Sequence, residues 1–164
     1  MMHILIKNNY LTFKHYRIKC AIGKRGIGNK KKEGDFITPK GVFKIKYILY
    51  RADRVKSFKT RTKKVIIKKK MGWCDDPGSK KYNMLISFPF NFTSEKLYRK
   101  DSLYDIIFVL NYNMNPIEKS KGSAIFIHVA KKKFKYTKGC VAIEKLKLLM
   151  LAKKIEKNTK IKII

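Results

Sequence analysis

Only one segment of this chain, EKLKLLMLAKKIEK at 144–157, spaces its apolar residues as a helix does, with Leu146, Leu149, Met150 and Ile155 forming one stripe. A chain of 164 residues with a single short helix has to bury its apolar side chains between strands. Strand candidates are plentiful: MHILI (2–6), YRIKCAI (16–22), VFKIKYIL (42–49), KVIIK (64–68), YDIIFVLNY (104–112), SAIFIHV (123–129) and CVAI (140–143), with KNTKIKII closing the chain. Each is short, rich in β-branched or aromatic residues and bounded by turn formers. VFKIKYIL alternates apolar residues with lysine, the pattern of a strand buried on one face. The expected fold is one mainly β domain over 1–164, a sandwich or open barrel with the C-terminal helix packed on it.

Composition narrows the function classes. Forty-one basic residues against eleven acidic ones leave a net charge of +30, which attracts polyanions such as nucleic acid, anionic lipid or cell-wall polymers. The charge is spread along the chain, as the lysine-rich, arginine-poor composition of an AT-rich genome would also produce. Three cysteines, Cys20, Cys74 and Cys140, imply no disulfide framework, and no CxxC or His/Cys spacing suits zinc. No cofactor or metal is expected. Lys7 interrupts the apolar start after Ile6, so no export signal is visible, and no run approaches the ~20 apolar residues of a membrane-spanning helix.

Two stretches look irregular. CAIGKRGIGNKKKEGDFITPKG (20–41) is crowded with Gly, Lys and Asp, but its glycines match neither a phosphate loop nor a dinucleotide fingerprint. The second runs from Lys70 to Asp101 and holds the only tryptophan, Trp73. Long loops on a small β domain are usually functional or mobile.

The chemistry concentrates late, in AIFIHVAKKKFKYTKGCVAI (124–143). A cysteine reacts as its thiolate and needs a base or a positive neighbour. His128 precedes Cys140 by twelve residues, on the preceding strand candidate. Side by side, those strands bring imidazole and thiol within reach. Lys138 adds positive charge, and Gly139 allows a sharp turn that aims the amides of residues 139 and 140 at a developing oxyanion. A small buried thiol beside a satisfied core histidine is the plainer alternative, but it needs no TKG before the sulfur.

TKGCVAI preceded by IHV resembles the L,D-transpeptidase catalytic domain (the YkuD-type family), whose signature is a histidine followed by [ST]-x-G-C. GDFITPKGVFKI (34–45) is similar to that family's Thr-Pro-x-Gly stretch leading into a strand, and GWCDDP, LYRKDSLYD, LNYN and GSAIFIHV look like one branch of it. The resemblance runs from about Ala21 to the C-terminus. It implies a β-sandwich-like domain acting on peptidoglycan stem peptides. Cys140 would attack the carbonyl of the third stem residue, a diamino acid, and release the terminal D-amino acid. The thioester would pass to a neighbouring amine, forming a cross-link, or to water, as in an L,D-carboxypeptidase. His128 would be the general base, oriented by a backbone carbonyl. The resemblance also implies the cell envelope as location; without it, the missing export signal points to the cytoplasm.

The chain departs from the family in three ways: Val129 follows the histidine where glycine is frequent, the insert before the cysteine is shorter, and Ala142 stands where Arg or Asn is common. The resemblance makes Arg99 a candidate for that missing side chain's work on a substrate carboxylate. Other candidate substrate-binding residues are Lys138, Thr137, Tyr112, Ser123 and Trp73. For each a plainer role competes: Trp73 as core or rim packing, Tyr112 and Ser123 as solvated strand ends, Thr137 as a turn opener. Cys20 and Cys74 read as buried bystanders, and His3 and His15 as solvent-facing in a hairpin-like start. The competing function is a non-catalytic basic β domain binding polyanions or nucleic acid, though no specific nucleic-acid module is present.

Overall fold

A computed structural model of the chain describes residues 3–119 and 121–164. The first expected strand starts at Met2, which lies outside the described residues. In chain order the strands are β1 (His3–Lys7), β2 (Tyr10–Phe13), β3 (Tyr16–Lys19), β4 (Ile27–Gly28), β5 (Thr38–Pro39), β6 (Gly41–Tyr50) and β7 (Lys64–Ile66). β8 (Met71–Cys74), β9 (Leu85–Ser87), β10 (Ser94–Lys96), β11 (Ile106–Leu110), β12 (Phe126–Val129) and β13 (Val141–Ile143) follow, then helix α1 (Lys145–Lys154) and β14 (Lys160–Ile163).

The main sheet runs β13-β12-β11-β6-β14-β1-β2-β3, with β7 paired to the end of β6. Its two edges nearly meet. Past β3 the chain straightens at Ala21, and Ala21 and Ala142 exchange both backbone hydrogen bonds at 2.8 Å. The sheet is thereby almost closed into a barrel, and the seam falls two residues beyond Cys140. Closure removes most of the exposed edge that an open sheet would present.

Period-two alternation divides the side chains between two cores. Ile125, Ile127, Val129, Val141 and Ile143 join the main core with Ile4, Ile48 and Phe108. Phe126 points the other way, into a second core with Trp73, Leu97, Tyr104 and Ile107, against which Cys140 packs. That second core is covered by a small sheet, β10-β8-β9, formed within the 70–101 stretch that looked irregular in sequence. Strands of three or four residues in a loop rich in polar residues carry almost no periodic signal of their own.

The helix forms where expected but presents another face. Leu148, Leu151, Ala152 and Ile155 are buried, at i, i+3, i+4 and i+7, whereas Leu146 is 68% exposed. Leu149 and Met150 pack only partly. In KLKLLMLAKK two overlapping stripes satisfy helical spacing, and packing of α1 against β11 and β12 selects between them. Among the described residues, no helix is long and apolar enough to cross a membrane.

Candidate active site

β12 and β13 lie side by side and parallel, with His128 opposite Ala142. Parallel neighbours need a crossing connection, and residues 130–140 supply it as an irregular excursion with one short 3-10 turn at Lys132–Phe134. Cys140 ends that excursion. Phe126 donates its N–H to Cys140 Sγ at 3.4 Å, and the thiol donates to the Ala124 carbonyl at 3.2 Å. Strand alternation sends Cys140 and Ala142 to the same side as Phe126 and His128, away from the main core.

That side opens into a cavity of about 510 Å³. His128, Cys140 and Ala142 form its floor, while Lys30, Glu33 and Gly34 belong to the 23–41 strap on its border. Trp73, Asp75, Glu95, Arg99 and Tyr104 come from the small sheet and the loop after it. Lys131, Lys135, Thr137, Lys138 and Gly139 come from the crossing excursion.

The imidazole is 7% exposed and its Nδ1 lies 2.9 Å from the Val129 carbonyl oxygen. A proton on Nδ1 donated to that carbonyl leaves Nε2 as the basic nitrogen. Tyr104 stands edge-on to the ring at 5.4 Å between centroids. Burial lowers the His128 pKa to about 4, and burial raises the Cys140 pKa to about 12 against the Phe126 N–H, which opposes it. Burial thus favours the neutral form of both the thiol and the imidazole.

Gly139 has φ +140°, and a Cβ there would come within 2.8 Å of the Ile37 carbonyl oxygen, so only glycine fits. Its N–H is taken by Thr137 Oγ1 at 3.1 Å, which removes it from the pair of amides expected to face an oxyanion. Thr137 Oγ1 also donates to the Cys140 carbonyl at 2.6 Å, so this threonine shapes the turn before the nucleophile. The Cys140 amide makes no hydrogen bond among the described residues and stays available as a donor.

The other sequence candidates divide. Trp73, Ser123 and Lys138 border the cavity, with Trp73 almost wholly buried and its Nε1 donating to Asn83 Oδ1 at 3.0 Å. Ser123 donates to Glu33 Oε1 at 3.0 Å. Arg99 borders the cavity too, but its guanidinium forks onto Asp101 at 2.9 and 2.6 Å. Tyr112 lies outside the lining; its hydroxyl donates to the Lys121 carbonyl and its ring packs on Phe43. Cys20 and Cys74 are buried.

Among the cavity residues that the sequence did not single out are Lys30, Glu33, Glu95, Tyr104, Lys131, Lys135 and Tyr136. Glu95 accepts from the Tyr104 hydroxyl at 2.6 Å, and burial raises its pKa in spite of that bond. Acids are scarce in this chain, but the local neighbours of Glu33 (KKKEGD) and Glu95 (TSEK) are polar and set neither apart. Among the described residues, no three His, Cys, Asp or Glu side chains gather as a metal site.

Comparison with protein families matches residues 2–163 to the model of the L,D-transpeptidase catalytic domain. Comparison with curated proteins gives no match.

Proposed function

The chain belongs to the L,D-transpeptidase catalytic domain family, and from that premise we propose that it is a cysteine acyltransferase working on peptidoglycan stem peptides through a Cys140 thioester. One observation carries the reading: Cys140 and His128 open into the same peptide-sized cavity, with the ring held by a backbone carbonyl so that Nε2 is the free base. The substrate's scissile carbonyl enters between them. The thiol leaves the Ala124 carbonyl, Nε2 of His128 takes its proton, and the sulfur forms a bond to the carbonyl carbon. Because burial favours the neutral form of each group, this proton moves as the S–C bond forms. The Cys140 amide donates to the oxyanion. Collapse breaks the C–N bond, and His128 returns the proton to the departing D-amino acid's amine. An incoming amine then takes the acyl group and forms a cross-link, or water takes it and trims the stem. Such a substrate places the work in the cell envelope.

Mass spectrometry of the protein mixed with a disaccharide tetrapeptide tests this. The expected product is a tripeptide adduct on Cys140, lost in Cys140→Ala and formed about 10²–10⁴-fold more slowly in His128→Ala. No adduct, or an adduct spread over Cys20 and Cys74, would leave only a basic β domain that binds polyanions.

A further inference from the structure

The cavity holds a cation that neither the family signature nor the mechanism above uses. Lys30 has a side chain only 3% exposed, and its Nζ pairs with Asp35 Oδ1 at 2.5 Å. One glycine makes room for its stem and a second lies beside its ammonium. A Cβ at Gly122 would lie 2.4 Å from Lys30 Cε, and one at Gly139 would lie 3.4 Å from Nζ. The lysine stem therefore passes Gly122 and delivers its ammonium beside the residue that precedes the nucleophile.

An ammonium has three N–H donors, and Asp35 accepts from one. The carboxylate is not held by Lys30 alone: the N–H groups of Lys31, Lys32 and Ile37 donate to it at 2.8, 3.3 and 3.1 Å. Three amide dipoles already disperse the Asp35 charge, so Lys30 is only partly compensated. A charged donor out of water, with N–H groups left spare among the described residues, favours an anion at the cavity wall it borders.

Resting on the acyltransferase reading, we propose that Lys30 binds the terminal carboxylate of the peptide donor and makes this site select chains ending in a free acid next to the scissile bond. Arg99 is poorly placed for that work because Asp101 occupies its fork, and Ala142 has no polar atom to offer. The strap thus supplies a cation beside Gly139, the residue that precedes Cys140. A carboxylate bound at Lys30 also fixes which carbonyl reaches the sulfur, so cleavage removes the last residue.

Calorimetric titration of the Cys140→Ala protein with a stem tetrapeptide, as free acid and as C-terminal amide, tests this without requiring turnover. The free acid should bind about 10–100-fold more tightly, the worth of one hydrogen-bonded charge. The further replacements Lys30→Met and Asp35→Asn, made together so that no buried charge is left unpaired, should bring the ratio close to one. Lys30→Arg should retain a preference for the acid. A thermal melt of the neutralised variant close to that of its parent shows that its fold is kept. An acid-to-amide ratio unchanged by the neutralised pair overturns the proposal, as does equal binding of both peptides to the parent. Failure of acylation at Cys140 with these binding differences intact would instead overturn the acyltransferase reading.

Discussion

The segments 23–41 and 70–101 both border the cavity at Cys140, and they are held in place by different forces. The first keeps an irregular backbone, with only the two-residue strands β4 and β5. It is organised around one carboxylate, Asp35, which gathers Lys30 and three backbone N–H groups. Glu33 then ties the strap to Tyr82 and Ser123 at 2.8 and 3.0 Å. The second folds into a three-stranded sheet that buries Trp73 and Leu97 against Tyr104 and Phe126. One border of the cavity is therefore held by directional polar contacts and the other by hydrocarbon. Polar contacts respond to pH and to single charge changes, while apolar packing responds to lost volume.

The largest effect should come from the apolar side. Trp73→Ala removes an indole that is almost fully buried and stands edge-on to Phe126 at 5.3 Å, and should cost about 3–5 kcal/mol in denaturant unfolding. A loss below about 1 kcal/mol would mean the small sheet is not held by that core.

Asp35→Ala should cost a similar or slightly smaller amount, about 3 kcal/mol, because it strands the Lys30 ammonium in a site with a side chain 3% exposed. The Lys30→Met, Asp35→Asn double change should cost clearly less than Asp35→Ala. If the single and double changes cost the same, charge pairing is not what holds the strap.

The same carboxylate sets an acid window. Burial raises the Asp35 pKa, but the Lys30 bond and the three amides outweigh it and hold it at about 2. A depressed native pKa adds stability above the unfolded value near 4, and that increment is lost as pH falls from about 4 through 2. Melting temperatures measured across this range should fall more steeply in the parent than in Asp35→Asn. Parallel curves would remove Asp35 as the source.

The smallest change bridges the two regimes. Tyr104→Phe keeps the ring against Phe126 and His128 but deletes the hydroxyl given to Glu95, and should cost about 1 kcal/mol in stability.

Much of this organisation was legible beforehand wherever local pattern and long-range need agree. The lysine alternation of β6 states its face directly, because one face must leave water, and the continuous apolar runs of β11 and β12 mark strands buried on both faces. TKGC marks a turn that only glycine permits, at φ +140° and under the Ile37 carbonyl. The short strands β8, β9 and β10, three or four residues each, were not legible, since their partners come from across a long loop. Lys30 could not be told from Lys31 and Lys32 in KKK, because only the position of Asp35 and the gap at Gly122 single it out.

The sequence by itself determined a mainly β chain, a late helix, a strongly basic charge and a cysteine placed just before the strand that follows the histidine's, since side-chain alternation, glycine and charge act within a few residues. Tertiary structure alone decided which stripe of α1 is buried, that Ala21 closes the sheet onto Ala142, that Asp101 occupies Arg99 and that Lys30 reaches the cavity. Those outcomes depend on which distant groups compete for the same space and the same hydrogen bonds, and that competition exists only once the chain has folded.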